Sequence, residues 1–207
     1  MNLLFKPHRS YNETQTKLLC RNFASIFSGV SLSEKIKVEV KNRNNRLSES
    51  NPQFKPKLVA IAVGDNPASK IYLKRKHEAA KFCGLYFDIL NLPSDTKEEY
   101  LRDLVHNLNS DHSVHGVIVQ LPLPPHMDEV RVCNSVDPRK DVDGFTQTNL
   151  GKLVQGLDDR SLIPCTALAV KRIIQETGIR QRFNQKQKLS IHLIRIQIVD
   201  VNDCALI

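Results

Sequence analysis

Residues 57–63 (KLVAIAV) form a short apolar, β-branched run that stops at Gly64-Asp65-Asn66-Pro67, and this junction constrains the fold more than any other part of the chain. A buried strand with such an ending leads into a helix, because Asn66 can cap it and Pro67 falls at the first helical position, where its missing N–H costs nothing. The spacing predicts a helix from about Ala68 to Phe82, stopped at Gly84, and then a second strand over Tyr86 to Leu90. In residues 96–109 (TKEEYLRDLVHNLN), Tyr100, Leu101, Leu104, Val105 and Leu108 fall on one helical stripe, and Gly116 to Leu121 reads as a third strand. Strand, helix, strand, helix, strand in a single run predicts an α/β fold in which helices cover both faces of a mostly parallel sheet. A shorter helix around Asp128 to Asn134 and another from Thr166 to Glu176 complete the patterned part, while Lys41 to Arg46 and Ser48 to Asn51 read as a surface helix end and a loop.

Composition narrows the function classes. The longest apolar stretches, Leu58 to Val63 and Val117 to Leu121, fall far short of the roughly 20 residues a membrane helix needs, so no membrane span is expected. The formal net charge is +8, but the excess sits at the ends: residues 1–56 carry ten Lys/Arg against four Asp/Glu, whereas residues 57–178 carry fifteen against sixteen. A patterned core that is electrically balanced argues against nucleic acid as the main partner. Residues 1–30 hold Lys6, Arg9, Lys17 and Arg21 against a single acid, Glu13, the pattern of a mitochondrial transit segment; an ordinary amphipathic first helix is the alternative, with a cytoplasmic location. The five cysteines are far apart, with no C-x-x-C pair, and no His, Cys or Asp cluster has metal-ligand spacing, so a reducing compartment and no metal are expected.

Three segments can carry chemistry. Tyr72 and Lys76 are four apart and share one helix face, with Ser69 a turn earlier. Val119-Gln120-Leu121-Pro122-Leu123-Pro124-Pro125 places one polar side chain at the C-terminal edge of a buried strand, where open α/β sheets bind their ligands. Asp141-Val142-Asp143-Gly144-Phe145 sets two carboxylates beside a glycine turn, without the oxygen pattern of a calcium loop. Taken singly, each also fits a surface lysine beside a half-buried tyrosine, a rigid exit loop, and a turn.

Together and in this order, residues 62–76 (AVGDNPASKIYLKRK), 116–124 (GVIVQLPLP) and 136–151 (VDPRKDVDGFTQTNLG) closely resemble the catalytic domain of the bifunctional methylenetetrahydrofolate dehydrogenase/cyclohydrolases, most of all their mitochondrial branch. The resemblance implies a three-layer αβα catalytic domain over residues 31–178 that takes a tetrahydrofolate derivative as substrate. It implies that Tyr72 stacks on the pterin, Lys76 is the acid/base group, Gln120 hydrogen-bonds that lysine, Asp143 binds the pterin ring, and the backbone at Val119 and Leu121 lines the site. By family, the reactions are oxidation of 5,10-methylenetetrahydrofolate with NAD or NADP and hydrolysis of 5,10-methenyltetrahydrofolate to 10-formyltetrahydrofolate, usually in a homodimer.

The sequence departs from the family in two places. Ala167 and Ala169 stand where the family usually has Pro and a small residue. After Gly178 there is no further glycine or proline, although a turn that lets the backbone approach a pyrophosphate needs glycine. The expectation is therefore that the nucleotide-binding Rossmann domain and its NAD(P) site are absent, that residues 179–207 are a divergent tail with a strand-like alternation over 189–201, and that the dehydrogenase activity is missing. A catalytically silent module that binds folate or pairs with another subunit is the alternative to an active cyclohydrolase.

Overall fold

The computed structural model describes residues 28–157 and 161–176. The expected transit segment and the divergent tail fall outside the described residues, apart from the junction at 28–30. Along the chain come α1 (Gly29–Ser50), β1 (Lys57–Val63), α2 (Pro67–Cys83), β2 (Tyr86–Leu92), α3 (Glu98–Ser110), β3 (Gly116–Val119), α4 (Glu129–Cys133), α5 (Gln147–Val154) and α6 (Cys165–Glu176).

The three strands form one parallel sheet in the order β2-β1-β3. Because β1 is central, its side chains alternate between two cores. Val59, Ile61 and Val63 meet Leu101 and Val105 of α3, together with Val117, Val119 and Val132. Ala60 and Ala62 point the other way, toward Leu73 of α2 and Ile118. The small alanines let α2 approach the sheet closely, whereas the branched residues fill the wider space beneath α3 and α4. Helices on both faces of the sheet make the three-layer αβα arrangement expected from the alternating pattern.

The β1–α2 junction forms as the sequence predicts. The Asn66 side chain accepts from the backbone N–H of Ala68 and of Ser69, Pro67 opens the helix, and Gly84 ends it at φ 74° in the left-handed region. Helix α1 packs on α2 and is fastened at that end. The buried Asn44 amide donates to the carbonyls of Cys83 and Gly84 at 3.1 and 2.9 Å, satisfying acceptors that a helix terminus leaves open.

Five sequence expectations are corrected. Strand β2 extends past Leu90 to Leu92, and β3 stops at Val119, three residues before Pro122, which cannot donate to a ladder. Residues 41–46, and Ser48 to Ser50 of the expected loop, lie within α1, which ends only at the Asn51 cap and whose polarity reflects a helix that buries only Leu32, Ser33 and Asn44 rather than an early end. Tyr100 is 59% exposed, at the rim of the stripe whose centre Leu101 and Val105 occupy. Helix α5 was not expected; it is eight residues long, opens on Gln-Thr-Asn and contains Gly151, so its pattern is too short and too polar to stand out.

Replacing Asn44 with alanine leaves two helix-end carbonyls without their donor in a buried setting, and urea unfolding should show a loss of about 1–3 kcal/mol. A change within 0.5 kcal/mol would mean that water replaces the amide there.

Candidate active site

Strand β3 delivers Gln120 to the C-terminal edge of the sheet. The Gln120 N–H still donates to Ile61 of the central strand at 2.9 Å, so its position is fixed by the ladder although it lies past the strand's end. Its side-chain orientation is set locally. The Gln120 Nε2 donates to the Leu121 carbonyl at 2.9 Å, which also accepts from Ser69 Oγ at 3.3 Å. With the NH₂ end engaged, Oε1 is the end left to face Lys76, whose Nζ lies 3.5 Å away, at the outer limit of a hydrogen bond. The exit loop is ordered as well: Leu123 N–H donates to Glu129 at 2.8 Å, and Leu123 and Met127 are buried.

The second partner of Lys76 comes from the turn after β3. Asp143 Oδ1 lies 3.6 Å from Lys76 Nζ, and the side chains of this pair are only 15% and 16% exposed. The two carboxylates of the 141–144 segment have different jobs. Asp141 is buried; it accepts from the N–H groups of Phe145 (3.2 Å) and Thr146 (2.8 Å) and from Asn149 Nδ2 (3.0 Å). Gly144 closes the turn at φ 69°, in a place where a Cβ would fall 2.6 Å from the Leu162 carbonyl oxygen. Asp141 and Gly144 thus shape the turn, and Asp143 is the carboxylate that faces the lysine.

Burial pushes the Asp143 carboxyl above the ordinary carboxylate range, and the Asp141 charge adds to this, while the Lys76 ammonium pulls it back. Beside the pair, Cys165 at the start of α6 lines a cavity of about 250 Å³ together with Lys76 and Asp143. Burial, then the Asp143 charge, raises the Cys165 thiol pKa.

Of the six residues singled out from the sequence, three converge: Gln120 and Asp143 both lie within 3.6 Å of the Lys76 ammonium. Tyr72 is half-buried on α2, one turn before Lys76. The Val119 side chain is buried in the core, so only its backbone can border the site. The Leu121 carbonyl is engaged in holding Gln120 and Ser69 rather than free. Sequence reasoning names Asp141 only as one of two carboxylates beside a turn and passes over Asn149, although together they fix the turn; the signal is the run from Asp141 to Thr146 and Asn149, in which a carboxylate precedes a helix start.

A model of the tetrahydrofolate dehydrogenase/cyclohydrolase catalytic domain matches residues 27–143, more than half of the chain. The chain belongs to this family. The bifunctional methylenetetrahydrofolate dehydrogenase/cyclohydrolase 2, mitochondrial, of Callithrix jacchus is 44% identical over 161 residues, covering 77% of this chain and 45% of that protein. The bifunctional protein FolD of Exiguobacterium sibiricum is 38% identical over 156 residues, covering 75% of this chain and 55% of that one. Among solved structures, a 5,10-methylenetetrahydrofolate dehydrogenase from the silkworm Bombyx mori superposes with a TM-score of 0.73 at 40% identity, over 76% of this chain and 53% of that one. A methylenetetrahydrofolate dehydrogenase-cyclohydrolase (FolD) of Trypanosoma brucei, solved with NADP cofactor and inhibitor, gives 0.70 at 31% identity, over 75% and 52%. The chain spans about half the length of the curated relatives it matches. Mitochondrial and bacterial relatives are similarly close, so membership of this tetrahydrofolate dehydrogenase/cyclohydrolase family does not by itself choose a compartment.

The Asp143 shift has a sign that can be measured. A carboxyl whose folded pKa is raised keeps its proton in the folded state after the unfolded chain has lost it, so its contribution to stability is present below about pH 3.8 and falls as pH rises through the folded value. Chemical denaturation from pH 4 upward should show wild type losing stability relative to Asp143→Asn; a gap that stays constant with pH would contradict the burial of this charge.

Proposed function

We propose that this chain acts on a tetrahydrofolate derivative in folate one-carbon metabolism, and that Lys76 is the acid/base group for hydrolysis of 5,10-methenyltetrahydrofolate to 10-formyltetrahydrofolate. The observation that carries the reading is the half-enclosed ammonium of Lys76 between the Gln120 amide and the Asp143 carboxylate, at the C-terminal edge of the sheet. Family membership supplies the substrate class. In this reading residues 31–178 are the catalytic domain, Tyr72 stacks against the substrate, Asp143 binds the pterin ring, and the backbone at Val119 and Leu121 borders it.

The chemistry asks for one group that takes a proton and gives it back. Water adds to the cationic methenyl carbon, forming a C–O bond, and one of its protons leaves to Lys76, which enters this step as the free amine, its ammonium proton having gone to solvent. Lys76 then gives a proton to N5 as the C–N5 bond breaks, and the hydroxyl proton leaves to solvent as the formyl C=O forms on N10, so one proton is released overall and Lys76 returns to the free amine. Gln120 does not titrate, and its oriented Oε1 keeps the lysine nitrogen in place through both transfers.

The dehydrogenase reaction of the family needs NAD or NADP. Among the described residues no strand leads into a glycine-rich phosphate turn: the β1–α2 junction has Gly64 alone, followed by Asp-Asn-Pro. The described residues do not fit that cofactor, and no hydride step is assigned to them. A second reading, a folate-binding module without turnover, draws on the exposure of Phe145, Leu150 and Val154, which follow the Asp143 turn as an open apolar surface.

The absorbance decay of 5,10-methenyltetrahydrofolate with the full chain tests both. Turnover above the buffer rate that falls about a hundredfold or more in Lys76→Ala is the expected result. Binding without decay favours the silent module, decay unaffected by Lys76→Ala removes the lysine from the mechanism, and neither binding nor decay overturns the folate reading.

A further inference from the structure

The loop that leaves the sheet after Gln120 is short of donors. Of residues 122–125 (PLPP) three are proline, so the Leu123 N–H is the one backbone donor with which this stretch can be fastened. That donor goes to the carboxylate of Glu129, the first residue of α4, at 2.8 Å, and the Leu123 side chain is buried. The far end of the loop is held separately, at the start of α3. There Glu98 Oε2 accepts from the Asp128 N–H at 2.8 Å, and a ring nitrogen of His126 lies 2.8 Å from the Thr96 carbonyl. Glu129 therefore governs the near end alone, the end that adjoins Gln120.

Only Pro122 stands between the Leu123 N–H and the Leu121 carbonyl. Two torsions relate those two peptide planes; the pyrrolidine ring fixes φ of Pro122, which leaves its ψ as the single soft one. A grip on the Leu123 N–H is thus passed through one torsion to the Leu121 carbonyl. That carbonyl accepts from Gln120 Nε2 at 2.9 Å and from Ser69 Oγ at 3.3 Å, and by taking the donor end of the Gln120 amide it turns Oε1 toward Lys76 Nζ, 3.5 Å away. We infer that Glu129 is a positioning residue for the Lys76 site: its carboxylate clamps the exit loop, and the clamped loop keeps the acceptor end of Gln120 on the lysine. Glu129 acts through the loop and not on the reacting atoms, from α4 on the α3 side of the sheet, whereas Lys76 belongs to α2 on the other side. The effect on turnover rests on the hydrolysis reading above; the effect on Gln120 does not.

The test reads Gln120 directly and then turnover, on the full chain. The Gln120 side-chain amide protons, identified in the NMR spectrum by their loss in Gln120→Met, should exchange with solvent at least about threefold faster in Glu129→Ala, because the carbonyl that holds them is no longer fixed. They should exchange at about the wild-type rate in Glu129→Gln, whose amide oxygen can still accept from Leu123. With 5,10-methenyltetrahydrofolate, kcat should fall about tenfold in Glu129→Ala while KM stays within about twofold of wild type. Gln120→Met/Glu129→Ala should be no slower than Gln120→Met alone, since both substitutions act through one contact. If Glu129→Ala does not fold, Glu129→Asp takes its place, keeping the charge while its carboxylate falls one methylene short of Leu123. An unchanged exchange rate in the folded variant, an amide as loose in Glu129→Gln as in Glu129→Ala, a kcat that holds while the amide loosens, or losses that add in the double variant would each overturn the clamp and leave the hydrolysis reading standing. Absence of turnover in wild type overturns the hydrolysis reading alone, and the exchange rates then decide the clamp.

Discussion

The buried carboxylate of Asp141 is the interaction on which the site depends. A charge taken out of water is tolerated only when its acceptors are filled, and Asp141 fills them with two backbone N–H groups and the Asn149 amide. The same residue bridges to Val117 of β3, and the adjacent Lys140 carbonyl accepts from Val117 N–H at 2.7 Å. Lys140 also donates its ammonium to the carbonyls of Leu108 and Asp111 at the end of α3. One short segment is thereby fixed to the sheet, to α3 and to α5. The direction in which Asp143 points follows from those attachments rather than from any bond of its own beyond Lys76.

Around Lys76 the same logic holds for Gln120. An amide has a donor end and an acceptor end, and an unconstrained one could offer either to the lysine. The Leu121 carbonyl takes the donor end, so the acceptor end is presented. Ser69, one α2 turn before Tyr72, donates to the same carbonyl and ties helix to exit loop. Lysine, amide and carboxylate thus come from a helix, a strand end and a turn, three elements that are themselves held by bonds to groups outside the trio. The lysine nitrogen therefore has a defined location, which is what the acid/base role proposed for it needs if proton transfers are to be short.

The fold was legible where a local signal and a tertiary requirement agreed. Asn66, Pro67 and Gly84 each obey a rule that depends only on neighbouring residues, so the limits of α2 could be read to within one residue. The central strand was legible because it is buried on both faces and so carries an unbroken apolar run. The errors lie where tertiary context decides. Tyr100 obeys the stripe spacing but sits at its rim; α1 is held by a few buried residues and the Asn44 bonds rather than by a strong apolar face; α5 depends on a Thr146 cap and on Asn149 reaching back to Asp141. In the site, Lys76, Gln120 and Asp143 could be named from motif resemblance, but their convergence could not, since they are separated by 44 and 23 positions and only the β1–β3 pairing and the Asp141 bridge bring them together.

The two aspartates show why pattern alone stops short of mechanism. Asp141 and Asp143 differ by two positions and by nothing in composition, yet one is satisfied by three donors and the other is left with a lysine at 3.6 Å. A carboxylate with its acceptors filled by backbone is committed to structure. A carboxylate that is buried, raised in pKa, and balanced mainly by one cation retains capacity for a ligand's donors, because a pterin hydrogen bond would supply what burial has removed. The incomplete satisfaction of Asp143 therefore supports the ligand-binding role proposed for it, and the complete satisfaction of Asp141 is what holds that incompleteness in place in the folded chain.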